Sequence, residues 1–275
     1  TFEMLSFKEA LEREPPILSD YRIVTIFISR DEIAEMVRKN LLVRPDRGKW
    51  DEEVEADMLA SLIALRKTIK RKRIRHAVSF HATVARAEAF RKSQTAFTEV
   101  FPSFSRLESF HVSGKTPTAV RARQIEDFEE SKRALITNAR CLTEGVDVPG
   151  IDCVLFADPK RSTVDIVQAV GRALRRAEGK KLGYVIVPIL LDSEVQDDKE
   201  LEDSAFETIL TVLRALASND ERIAEYFRSK STGKKRKRGR GVIEDFIVPD
   251  GVKINAQAFQ DAVELKVWSR LAKLA

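Results

Sequence analysis

Val167-Gln168-Ala169-Val170-Gly171-Arg172-Ala173-Leu174-Arg175-Arg176 is the stretch on which the reading of this chain turns. Its spacing predicts a helix. Arg172 and Arg175 stand three residues apart and so share one helical face. Gly171, just before them, lets a neighbouring group approach the backbone closely. A guanidinium is a planar fork suited to phosphate oxygens, and it keeps its charge at any working pH. Arg176 falls on the other side of the helix.

Working outward, short apolar strands alternate with helices. Upstream, Tyr21 to Ile28 is β-branched and aromatic and reads as a strand, and Asp31 reads as the cap of a helix to about Asn40. A long charged helix is predicted from Asp51 to about Arg73, with Val54, Met58, Leu62 and Leu65 on one face. Strands follow at Ala77–Phe80, Glu108–Val112, Ala134–Thr137 and Cys153–Phe156, with helices opening at Thr83 and after Thr116-Pro117. Thr116 reads as an N-cap with proline at the first helical position, on a helix whose apolar face holds Val120, Ile125 and Phe128. Downstream of the arginines, Gly183–Pro188 is one more strand. Such alternation predicts an α/β fold: a parallel sheet covered by helices on both faces, with ligands at the carboxyl ends of the strands. After Leu191 the character changes. Leu201–Phe227 reads as helix with Phe206, Ile209, Leu213 and Leu216 on its apolar face, residues 229–241 as a basic linker, and Val242–Asn255 as a hairpin.

Composition narrows the class. A chain of 275 residues, 43% apolar and 33% charged, suits one large domain or one domain with an appendage. Its longest apolar runs, such as Tyr184 to Leu191, are far too short to span a bilayer, so no membrane partner is expected. Two cysteines cannot make a disulfide framework, and with three scattered histidines they give no metal-ligand spacing. A reducing, cytoplasmic setting is the expectation. The net charge of +5 is unevenly placed: Arg228–Arg240 holds eight basic residues and Lys67–Arg75 six. Such runs fit phosphate backbones, or simply a solvated linker and a charged helix end.

Ser113-Gly114-Lys115-Thr116 contains the G-K-T of a phosphate-cradling loop, but Ser109 stands where that loop needs its earlier glycine. No other such loop, and no acidic pair after a strand, is found in the chain. Gly114, Arg121 and Phe128 recur at seven-residue intervals. Val78-Ser79-Phe80-His81-Ala82-Thr83 closes a strand; Phe80 reads as core and His81 as a surface residue. Thr137-Asn138 opens a long loop that runs to Thr143-Glu144-Gly145-Val146-Asp147-Val148-Pro149.

Taken in order, these four stretches and the pattern Q-x-x-G-R-x-x-R resemble the motifs of the second motor domain of superfamily 2 helicases and translocases. The resemblance covers about residues 21–191. It implies a three-layer RecA-like domain there, a connector at 1–20 leaving a first motor domain that the sequence does not contain, and a mainly helical C-terminal extension at 192–275. It further implies that ATP and magnesium are held mainly by that first domain, so this polypeptide alone is not expected to hydrolyse ATP. Arg172 and Arg175 would be arginine fingers, Gln168 would orient groups near the γ-phosphate, and Gly145 and Asp147 would face the nucleotide. Ser113, Gly114, Arg121, Thr137 and Asn138 would contact nucleic acid, with DNA favoured over RNA; the loop resembles the T-E-G-x-D-x-P form of DNA translocases and restriction-enzyme motors. Three alternatives stay open: a nucleic-acid-binding module that never cycles, a motor subunit of a restriction-type enzyme, and a small-molecule enzyme on a doubly wound sheet. The last would need a glycine-rich turn after the strand ending at Phe80, and Phe80–Thr83 has none.

Overall fold

A computed structural model describes residues 6–38, 52–100, 106–139, 150–157, 163–177, 180, 182–191, 209, 211–223, 225 and 243–247. Its elements are α1 (Phe7–Glu12), β1 (Asp20–Ser29), α2 (Arg30–Arg38), α3 (Glu52–Lys72), β2 (His76–Phe80), α4 (Val84–Val100), β3 (Glu108–Ser113), α5 (Thr118–Glu130), β4 (Ala134–Ala139), β5 (Cys153–Phe156), α6 (Thr163–Ala173), β6 (Leu182–Leu191) and β7 (Ile243–Ile247). The strands form one sheet in the order β3-β4-β2-β5-β6-β1-β7. Every pairing in it is parallel. All amino ends therefore lie along one edge and all carboxyl ends along the other.

Side chains alternate across a strand, so each strand feeds two cores. Val78, Phe80, Ile136, Val154 and Phe156 face one layer with Phe7, Phe128, Ile166, Val170 and Leu174, which brings α1, α5 and α6 to that side. Ala77, Leu135, Cys153 and Leu155 face the other with Ile33, Leu59, Leu65, Phe90 and Phe97, which brings α2, α3 and α4 there. This is the sheet covered on both faces that the alternation predicts, and the three-layer RecA-like arrangement that the resemblance implies. Phe80 stacks on Phe156 at 5.8 Å between ring centroids, as befits a core residue.

Several local expectations are corrected. The Ser29 hydroxyl, not Asp31, accepts the Glu32 amide at the start of α2. Thr116 does not cap α5: its hydroxyl accepts the Ser113 amide instead, and α5 begins after Pro117 with no side-chain cap. Val120 is exposed, so only Ile125 and Phe128 carry the inner face of α5. His81 is buried, its Nε2 2.9 Å from the Ser79 hydroxyl and its ring against Phe90. The first arm of the hairpin expected at Val242–Asn255 is β7, which adds to the sheet parallel to β1. The second arm lies outside the described residues. Ile209, Leu213 and Leu216 are buried as expected, in the same core as α6, while Phe206 lies outside the described residues.

Candidate functional site

The arginine stretch closes α6 at the amino edge of the sheet. Gly171 is where the close approach occurs: a Cβ there would stand 3.3 Å from the Phe7 ring of α1. Beyond Ala173 the chain pairs with the segment that enters β1. Leu18 and Arg175 form an antiparallel bridge. The Ser19 amide donates to Leu174 O at 2.8 Å and the Arg176 amide to Ile17 O at 3.2 Å. Leu174 is fully buried and sits over Gly183 at the start of β6, where an added Cβ would meet its Cδ2 at 2.1 Å. Two ends of α6 residues are thus fixed, while Gln168 and Arg175 are exposed. Arg172 lies in α6 by its backbone, and its side chain is outside the described residues.

Next to this turn lies a cavity of about 500 Å³ lined by Leu11, Leu18, Ser19, Asp20, Arg176 and Lys180 among others. The Lys180 ammonium donates to Arg175 O at 3.2 Å. Burial pulls its pKa down, against the pull of Asp152 the other way, to about 8. In the cavity wall, Asp20 and Arg222 belong to a part-buried polar knot that sequence reasoning missed. Tyr21 donates to Asp220 at 2.8 Å, and Arg222 donates to Asp220 at 2.7 Å and to Asp20 at 2.8 Å. Arg22 donates to the second Asp20 oxygen at 2.8 Å. Burial pushes the Tyr21 hydroxyl pKa well up, and Asp220 adds to it. Burial alone would raise Asp20, but the hydrogen bonds from Arg222 and Arg22 outweigh it and hold the carboxyl below its ordinary value. No local pattern signals this knot, because its partners are up to 202 residues apart.

The nucleic-acid candidates sit at the carboxyl edge. Ser113 ends β3, and Gly114 follows it in an exposed turn with nothing within 4 Å of where a Cβ would be. One turn into α5, Arg121 donates through Nη2 to Thr116 O at 2.9 Å. Its Nε is buried without a hydrogen-bond partner. Thr137, given a phosphate in the sequence reading, is fully buried, with its hydroxyl 2.9 Å from His111 Nδ1 and 3.3 Å from Phe110 O. Burial lowers the His111 pKa, partly offset by Glu88. Asn138 follows on β4, opposite Val112, with its side chain outside the described residues. Gly145 and Asp147 lie outside them altogether.

The structure therefore parts the sequence candidates into two groups. With β4 six residues long, the two edges stand roughly 20 Å apart. The arginine turn is at the amino edge, not at the carboxyl ends where ligands were expected. Lys115 and Thr116 lie in the turn after β3, and the Thr116 hydroxyl is spent on Ser113. Among the described residues, no group of three His, Cys, Asp or Glu side chains could hold a metal ion.

Comparison with known proteins agrees with the architecture. Residues 58–177 match the helicase conserved C-terminal domain. Over 135 residues the chain is 27% identical to the "Putative ATP-dependent helicase IRC3" of Saccharomyces cerevisiae, 45% of this chain and 19% of the yeast protein. Over 117 residues it is 33% identical to the "Probable helicase A859L" of African swine fever virus, 42% of this chain and 13% of that one. Among solved structures, the ATP-dependent Type ISP restriction-modification enzyme LlaBIII bound to DNA superposes with a TM-score of 0.73 at 26% identity, covering 97% of this chain and 18% of that one. The chain spans less than a fifth of the length of each of these proteins. With the motif order, the parallel sheet and these relatives in agreement, residues 58–177 carry a helicase conserved C-terminal domain on a RecA-like sheet.

Proposed function

We propose that the protein is the second motor half of an ATP-dependent DNA helicase or translocase. ATP and magnesium are held mainly by a first RecA-like domain outside this sequence, and α6 completes the pocket. Bound there, the nucleotide supplies the free energy of phosphoryl transfer. This chain's residues supply placed charge: Arg172 and Arg175 meet the phosphate oxygens, Gln168 orients the groups beside them, and Gly145 and Asp147 face the base and sugar side. The observation that carries the reading is the bracing of the turn after α6. A finger stabilises developing charge only if it is held in place before the reaction, since reorganisation would consume the gain. The backbone bridge from Leu174–Arg176 to residues 17–19, with Leu174 locked over Gly183, does that for Arg175.

At the carboxyl edge the Ser113–Gly114 turn and Arg121, with Asn138 beside them, grip one nucleic-acid strand by its backbone. Thr137 serves from beneath, tying β4 to β3 through Phe110 O and His111. Closure and opening of the two motor halves would then step the grip along the strand. The test is steady-state turnover by the intact two-domain motor. Arg172→Ala should lower nucleic-acid-stimulated ATP hydrolysis by about 10³-fold or more while leaving ATP binding nearly intact. Unchanged turnover would overturn the finger assignment.

A second, narrower reading is the motor of a restriction-type enzyme. The restriction-modification enzyme LlaBIII favours it: it matches 97% of this chain and was solved bound to DNA. Stimulation of turnover by DNA but not by RNA would support this reading.

A further inference from the structure

The amino edge carries charge that the motor reading leaves unused. α3 ends in Lys70, Arg71 and Lys72, and the chain continues through Arg73 and Arg75 into β2. Cations in the last turn are expected, because the helix dipole favours them there. Two observations go beyond that. First, Arg73 holds a φ of 56°, in the left-handed region. This is the position just past a helix that glycine fills without steric cost. An arginine there keeps its side chain at the expense of the backbone. Second, Arg71, Arg73 and Arg75 are all exposed, and among the described residues no carboxylate pairs with their side chains. Asp152 is engaged by the backbone here, accepting the amides of Arg75 and His76. Arg75 is fixed on its other side as well, its carbonyl accepting the Ala134 amide, and exposed Lys132 leads into that neighbouring strand. Glu129 and Glu130 end α5 on the same edge, so the charge is concentrated at the α3–β2 turn rather than spread along the edge.

We propose that the α3–β2 turn, through Arg71, Arg73 and Arg75, is a second nucleic-acid contact that takes the phosphate backbone of a duplex. A duplex fits better than a single strand. Proteins that hold single strands stack bases on exposed aromatic rings. Here no large aromatic is exposed among the described residues, and the ring of Tyr184 is covered by the Lys72 ammonium 5.8 Å from its centroid. The turn lies at the opposite edge from Gly114 and Arg121, a strand length away, so one strand held there does not occupy it. A duplex flanking a tracked strand reaches both. The inference stands independently of the arginine fingers.

The test is the binding of the protein to a 40-base-pair DNA duplex and to a 40-nucleotide single strand across a salt series, read by fluorescence anisotropy. Each phosphate contact removed should lower the slope of log affinity against log salt by about 1. Arg73→Gly should lower the duplex slope by about 1 while its melting temperature stays unchanged or rises, the reverse of what a structural arginine would do. The Arg71→Ala, Arg73→Gly, Arg75→Ala triple variant should lower the duplex slope by about 3 and leave single-strand binding close to wild type. Arg121→Ala should show the opposite preference, which separates failure of this surface from failure of the carboxyl-edge grip. An unchanged duplex slope in the triple variant overturns the inference. So does an equal loss on both substrates, or a lower melting temperature for Arg73→Gly.

Discussion

At the amino edge, the turn after α6 is held by residues from distant parts of the chain: Leu18 bridges Arg175, and Arg222 reaches Asp20 across 202 positions. At the carboxyl edge, the Ser113–Arg121 turn is bonded almost wholly to itself. Ser113 and Thr116 are three residues apart, and Arg121 and Thr116 five. The first arrangement cannot shift without breaking several long-range contacts together. The second can adjust locally, and it leaves Arg121 Nε unsatisfied. A group that must meet one transition state needs the first kind of support. A surface that must follow a flexible polymer, releasing and regripping it, is served by the second.

The largest effect expected from testing this contrast is on stability. Gly183→Ala places a methyl into Leu174 Cδ2, and Leu174 is fully buried, so its side chain must repack within the core to clear it. Overpacking of this kind costs about 1–3 kcal/mol. Denaturant unfolding should show the midpoint fall with the slope unchanged. No loss would mean that Leu174 is not a brace and that the amino edge is as adaptable as the other.

Arg121→Ala should do the reverse. The side chain contributes one hydrogen bond to a backbone carbonyl and already leaves Nε unpaired, so stability should change by about 0.5–1 kcal/mol at most. Single-strand affinity should fall severalfold, with the salt slope lower by about 1. A large stability loss without a binding change would make Arg121 structural and erase the contrast from that side.

What the sequence disclosed follows the same division. Strands buried on both faces announce themselves as short apolar runs, and Ala134–Ile136, Cys153–Phe156 and Val185–Val187 were legible for that reason. The 113–121 turn was legible because its contacts are local. The braces were not: nothing near Ile17–Ser19 says that these backbone groups will meet Leu174–Arg176, and nothing near Asp220 names Tyr21 as its partner. Polarity also misled where a partner was hidden. His81 reads as a surface residue because the Ser79 hydroxyl that satisfies it two positions away on the strand is not an obvious mate. Thr137 reads as a phosphate ligand because its pairing with His111 belongs to the β3–β4 register, which only the fold sets. The pairing of Ile243–Ile247 with the flank of β1 was not legible either, because that partner lies more than two hundred residues upstream.

The smallest effect should come from pH, and it belongs to the amino edge alone. Burial would raise the Asp20 pKa, but the hydrogen bonds from Arg222 and Arg22 prevail and the folded value lies below the unfolded one. A carboxyl shifted in this direction gives stability that is fully present above its unfolded pKa of about 3.9 and is lost as pH falls below that through the folded value. The Asp20 side chain is 40% exposed, so solvent screens much of the gain. Thermal melts of wild type and Asp20→Asn should therefore differ modestly at pH 6, less in high salt, and converge as pH drops below about 4. A difference that persists unchanged at low pH would show that hydrogen-bond geometry, not charge, ties β1 to Arg222. The amino-edge brace would then be a matter of shape throughout, from Leu174 over Gly183 to the knot in the cavity wall.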